Sequence, residues 1–170
     1  MRMAIRVFAV GIMMLGLCAA RAGSQSAATS GFDRLKTLVG TWDSVTPEGA
    51  PLTSAIRLVS NGTAIEETFQ STEAHQMVTL YSRDGDKVAM VHLCEIGNQP
   101  RMETPSIAAG ANDFDFSFTG ATNLASPEDM HMHHMFLQIA DNDHFNETWT
   151  LHANGKDQEH ASFHFTRRKS

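Results

Sequence analysis

Six consecutive residues, Met130-His131-Met132-His133-His134-Met135, each carry a thioether or an imidazole. Soft and borderline donors of this kind suit copper, and export would make copper chemistry physically accessible. An extended chain divides them, with His131, His133 and Met135 on one face and Met132 and His134 on the other. The run matters chemically if His134 turns inward, or if the loop before it folds over a cavity mouth. The acidic, proline-containing Ser126-Pro127-Glu128-Asp129 marks that loop. The plainer reading is a loop entering a strand, with methionines filling a rim.

His92 and Cys94 stand at alternate positions of one strand and project from the same face. An imidazole and a thiolate so placed reach one soft metal, with Glu67, His134 or Glu147 as further ligands from neighbouring strands. The alternative is a His92 hydrogen-bonded to a buried carboxylate, with Cys94 packed as a small apolar side chain. Two other strands share a pattern, Glu67-Thr68-Phe69 and Glu147-Thr148-Trp149. Each sets a carboxylate among large apolar neighbours: Ile65 and Phe69 in one strand, Phe145, Trp149 and Leu151 in the other. An inward carboxylate is costly unless paired or used. Arg101 or Arg57 would pair it; alternatively Glu67 or Glu147 acts as a general base beside His92.

Near the end, His160, Ser162 and His164 share a face opposite Ala161, Phe163 and Phe165. An inward Phe face leaves those histidines in solvent, and Arg167-Arg168-Lys169 reads as a solvated basic end. No Gly-x-Ser-x-Gly elbow and no glycine-rich phosphate loop occurs.

These residues sit on a chain of short strands. Phe32, Leu35, Leu38 and Val39 fall at helical spacing, with Ser30 as cap and Gly40 as stop. Alternation then predicts strands over 41–45, 53–59, 64–70, 76–82, 87–95, 100–104, 113–119, 132–140, 144–152 and 159–167. Asn61-Gly62, Asp84-Gly85-Asp86, Gly97-Asn98, Asp141-Asn142-Asp143 and Asn154-Gly155 supply the turns. The expected fold is all-β: a closed up-and-down antiparallel barrel of about ten strands with a short N-terminal helix, since closure removes exposed edges.

The first residues point to export. Arg2 and Arg6 precede an apolar run over 9–17, and Ala20-Arg21-Ala22 offers a small-x-small cleavage site. The run is short for a membrane span, so no integral membrane segment is expected in the mature chain. Leu17 before Cys18 argues against a lipid anchor. The expected organisation is a signal peptide over 1–22, a flexible linker over 23–30 and one barrel domain over 31–170, in the periplasm or outside the cell. Cleavage takes Arg2, Arg6 and Arg21 from thirteen basic residues, leaving ten against nineteen acidic ones, which disfavours nucleic acid as a partner. Cys94 is then the one cysteine left, and no internal disulfide forms.

The segment Leu35-Lys36-Thr37-Leu38-Val39-Gly40-Thr41-Trp42 resembles the Leu-x-Gly-x-Trp opening of calycin barrels: lipocalins, fatty-acid-binding proteins and nitrobindins. With Met90-Val91-His92-Leu93-Cys94, Gly97-Asn98-Gln99-Pro100-Arg101-Met102 and Phe145-Asn146-Glu147-Thr148-Trp149-Thr150, it looks like an uncharacterised lipocalin-like family of exported bacterial proteins. The resemblance implies a helix closing one barrel end, with the Trp packed across it. Similarity to nitrobindin implies a haem histidine near the chain end, with His164 ahead of His160 as its position. Here Asp43-Ser44-Val45 replaces the glycine-rich run that follows Gly-x-Trp in nitrobindins.

Three readings stay open. The first is an exported protein binding a small molecule in a partly polar cavity lined by Glu67, His92, Arg101, Glu147 and Trp149, with Arg101 clamping an anion. The second is a copper, zinc or haem protein, its soft metal held by His92, Cys94 and His134. The third is an enzyme using a Glu/His pair. Oligomeric state is not legible.

Overall fold

The computed structural model describes residues 30–72 and 75–169. The expected signal peptide, and all of the expected linker but Ser30, lie outside the described residues. Helix α1 (Gly31–Lys36) is followed by β1 (Gly40–Val45), β2 (Pro51–Val59), β3 (Ala64–Thr72), β4 (His75–Asp84), β5 (Lys87–Leu93), β6 (Gln99–Glu103), β7 (Asp113–Thr122), β8 (His131–Ile139), β9 (His144–Ala153) and β10 (Lys156–Arg167). Each strand pairs antiparallel with its neighbours in sequence, and β10 returns to β1 to close the barrel. This is the all-β, ten-strand, up-and-down barrel that alternation and turn spacing predict, and it fits a calycin or lipocalin-like architecture. No helix among the described residues is long and apolar enough to cross a membrane.

Ser30 caps α1 as expected, its hydroxyl accepting from the Asp33 amide at 3.2 Å. The helix stops at Lys36, short of Val39, and its buried Phe32 and Leu35 cover one barrel end. Trp42 is fully buried beneath it and donates from Nε1 to the Leu38 carbonyl at 2.7 Å. The Trp42 ring meets Phe145 edge-on at 4.8 Å, and Phe145 stacks on Phe165 at 4.6 Å. Phe114, Phe116, Ile65, Met135, Leu137 and Ile139 extend this core along the barrel.

Arg167 is not the solvated basic residue that its position suggests. Its guanidinium lies 4.0 Å from the Trp42 ring centre and donates to the carbonyls of Thr37 at 2.9 Å, Val39 at 3.0 Å and Asn142 at 2.8 Å. A planar, five-donor group is what three differently placed carbonyls require. Gly40 leaves it room, since a Cβ there would stand 2.8 Å from Arg167 Nη1, and its φ of +144° disfavours other residues. Arg168 pairs with Asp43 on the next strand.

Two histidines interrupt the alternation. Between Met132 and His134 the β8–β9 register shifts, so His133 is an extra residue and Met132 and Met135 both turn inward. The β9–β10 register shifts between Glu159 and Ala161, making His160 extra in the same way.

Replacing Arg167 by Ala removes the three bonds and the ring contact together. We expect a loss of about 2 kcal/mol, lowering the melting temperature by about 6 °C. Arg167→Lys recovers only part, because an ammonium cannot fork between carbonyls. Thermal unfolding followed by circular dichroism checks this; an unchanged Arg167→Ala melting point would remove Arg167 from the account of closure.

Candidate functional site

Alternation places both repeated carboxylates inside. Glu67 is 1% exposed and Glu147 is 0% exposed, so neither reaches solvent. No arginine accompanies them. Arg57 turns outward to Glu66 at 2.7 Å, and exposed Arg101 lies outside the barrel while Pro100 and Met102 take the inner face. The expected anion clamp is therefore absent from the interior, because β6 buries its apolar side chains and leaves the guanidinium hydrated.

The two carboxyls are neighbours instead, each acting on the other's ionisation. Glu67 Oε1 accepts from Ser54 at 2.6 Å and Oε2 from Tyr81 at 2.7 Å. Glu147 Oε2 accepts from Trp149 Nε1 at 2.9 Å, while Oε1 meets no donor among the described residues. Burial raises the pKa of both groups. Glu147 is driven further, by burial and then by the Glu67 charge beside it, whereas the hydroxyls of Ser54 and Tyr81 ease the ionisation of Glu67. Of the two, Glu147 is therefore the one pushed harder toward holding a proton.

The Tyr81 hydroxyl donates to Glu67, and Thr79 takes the next inward position of the same strand. Thr79 Oγ1 lies 2.9 Å from His92 Nδ1, a bond whose donor follows the His92 tautomer. Burial lowers the His92 pKa to about 4, which keeps the ring neutral near pH 7. Its Nε2 makes no hydrogen bond within the described residues, and the ring packs on Trp149 at 4.6 Å.

His92 and Trp149 form part of the wall of a cavity of about 300 Å³ at the end opposite α1. Phe69, Met77, Met132 and Phe163 give it apolar walls, and Cys94 and His160 also face it. Burial raises the Cys94 thiol pKa, so it stays protonated. Glu67 and Glu147 lie behind His92 and Trp149 and do not line the space. The structure thus brings His92, Cys94 and Trp149 together at the cavity and leaves Arg101 outside. His134 also faces away, toward Asp115 at 2.6 Å, because the bulge turns it out; it joins no site with His92 and Cys94.

Met130 and Met132 do reach the cavity, so the Met/His run contributes thioethers to the mouth rather than imidazoles. His164 faces Asn146 at 2.8 Å on the outside, while His160 lies at the mouth, reversing the order expected for a haem histidine. Thr79, Tyr81, Ser54 and Met77 carry no sequence signal of their own. Their inward alternation was the one available cue. No protein-family model matches the chain, and no curated protein matches it.

The shared proton gives a pH signature. Because the Glu147 pKa is raised well above its ordinary 4.5, the folded state holds a proton that the unfolded state releases. The stability this confers is complete below that ordinary value and is lost as pH rises through the folded one. Glu147→Gln keeps a donor toward Glu67 and an acceptor for Trp149, with no proton to lose. Its stability stays level as pH rises above about 5, where the wild type declines. Glu147→Ala leaves both partners unsatisfied and costs about 3 kcal/mol. Denaturant unfolding across this range is the check, and parallel curves for wild type and Glu147→Gln would place the proton elsewhere.

Proposed function

We propose that this chain is an exported binding protein of the lipocalin-like kind it resembles, holding a small molecule with an apolar body and one hydrogen-bond donor. The observation that carries the reading is His92, a neutral imidazole on the wall of a cavity that Phe69, Met77, Met132, Trp149 and Phe163 also line; in this reading Thr79 accepts from Nδ1, and Nε2 accepts from the ligand. Ligand sites commonly combine apolar walls with few, firmly oriented polar groups. A phenol or alcohol matches this set better than an anion, because Arg101 lies outside. The carboxyl pair lies behind the site, with Ser54 and Tyr81 donating to Glu67 and Trp149 to Glu147. It is sealed from the cavity, so of the Glu/His pair only His92 Nε2 would meet a bound molecule.

2-Naphthol and naphthalene separate the two parts of this reading. Wild-type protein should bind 2-naphthol more tightly than naphthalene by about 1 kcal/mol, roughly fivefold. His92→Leu should abolish that difference while keeping naphthalene binding, and Ala161→Trp should block both by filling the cavity. Calorimetric titration reads each. Equal affinities in the wild type, or binding unchanged by Ala161→Trp, would overturn the assignment.

A second reading rests on the donors that share this space: His92, Cys94, Met77, Met130 and Met132 all face it. Sulfur with one imidazole suits monovalent copper. Anaerobic competition for copper(I) should then show one ion bound, weakened at least tenfold in Cys94→Ser and in Met132→Leu. No uptake, or uptake indifferent to both changes, would dismiss it.

A further inference from the structure

Three imidazoles that take no part in the cavity gather on the outer face, where β8, β9 and β10 meet. Leu151 turns inward, so His152 turns out; the ladder places His131 opposite it on one side and Asp157 on the other. The β8 bulge brings His133 onto the same patch, its ring 5.1 Å from that of His131 and 5.2 Å from that of His152. Phe118 packs on His131 at 4.4 Å and on His133 at 4.8 Å, restraining both rings.

Hydrogen bonds assign the protons. His131, only 1% exposed, has Nδ1 at 2.6 Å from the Asp129 carbonyl, so that nitrogen donates. Its Nε2 lone pair meets His133 Nδ1 at 2.9 Å, so His133 donates there and keeps its own lone pair on Nε2. A metal-binding histidine is typically held in this way, its second nitrogen donating to a fixed acceptor. His152 Nδ1 lies 2.6 Å from Asp157, and Nε2 lies 3.6 Å from Glu128. One donor atom from each of His133, His152 and Asp157 lies within 4.8 Å of the other two.

The surrounding chain keeps this patch open. The tight turn between β9 and β10 runs through Asn154 and Gly155 at φ values of 54° and 69°. A Cβ at Gly155 would stand 2.7 Å from Glu128 Oε2, so the glycine leaves space for that carboxylate. Glu128 itself is placed by the loop in which Asp129 accepts from the amides of Ala125 at 2.7 Å and Ser126 at 3.0 Å.

We propose that His133, His152 and Asp157 bind one divalent ion of the zinc class on the outer face of the barrel, with Glu128 or water completing the shell. Two imidazoles and a carboxylate form a borderline donor set, suited to zinc rather than to calcium, which takes six or more oxygens, or to monovalent copper, which takes sulfur. None of these residues lines the cavity, so the site stands independently of the small-molecule reading.

Full-length protein prepared without a polyhistidine tag and titrated calorimetrically with zinc should bind one equivalent. His152→Asn and Asp157→Asn should each weaken binding by about 10-fold to 100-fold, whereas His92→Gln and Cys94→Ser leave it unchanged. On the wild-type protein, where no variant needs to fold, zinc should shift the NMR ring signals of His131, His133 and His152 but not those of His92. Absence of uptake, retention of wild-type affinity in both outer-face variants, or shifts at His92 would each overturn the proposal. Naphthol binding by His152→Asn should persist, which separates failure here from failure of the cavity reading.

Discussion

The seam between β10 and β1 is the constraint on which the barrel depends. Nine of the ten strand pairings join neighbours in sequence and follow from local hairpins, while this one joins the two ends of the described fold. The ladder there is brief, with Trp42 opposite Arg167 and Asp43 opposite Thr166. Side chains reinforce it: Arg167 binds carbonyls on the segment after α1 and covers Trp42, and Arg168 holds Asp43. A long-range pairing carries the largest loop-closure cost of the fold. Its strength decides whether β1 and β10 are interior strands or two exposed edges.

Behind that seam, the barrel accepts a price in polarity. Two carboxyls sit side by side in the core, and a proton held between them answers the one oxygen left without a donor, Glu147 Oε1. Partly satisfied, such a network would be worse than an apolar core; fully satisfied, it sets side-chain directions that apolar packing leaves free. Here it holds Ser54 and Tyr81 on Glu67 and Trp149 on Glu147, directly behind the wall that His92 and Trp149 give the cavity.

Much of this was legible in residue order, for reasons that also mark its limits. Period-two alternation grouped Glu67 with Phe69, His92 with Cys94 and Glu147 with Trp149 on shared faces without saying which face turns inward, and turn residues gave the strand count. What alternation cannot show is a place where it fails. His133 and His160 each add a residue to one strand but not to its partner, and every assignment around them, including that of His134, depends on that shift. Arg167 was hidden differently: its partners Thr37 and Val39 lie more than a hundred residues away, and its position beside Arg168 and Lys169 imitates a solvated tail. The tautomer of His92 depends on cross-strand neighbours whose side chains carry no motif.

Among the described residues the barrel has four register shifts, and the two against β9 each add a histidine. Removing His133 would bring Met132, His134 and Met135 into plain in-out-in order, and removing His160 would do the same for Glu159 and Ala161, with every core residue still facing inward. Each bulge is thus equivalent to a single inserted codon that the core does not register. Length variation at these two points can add or delete an imidazole at the rim or on the outer wall while the interior is inherited intact. In such a barrel, outer-wall chemistry can change by the insertion of one residue, without the substitutions that would disturb the core.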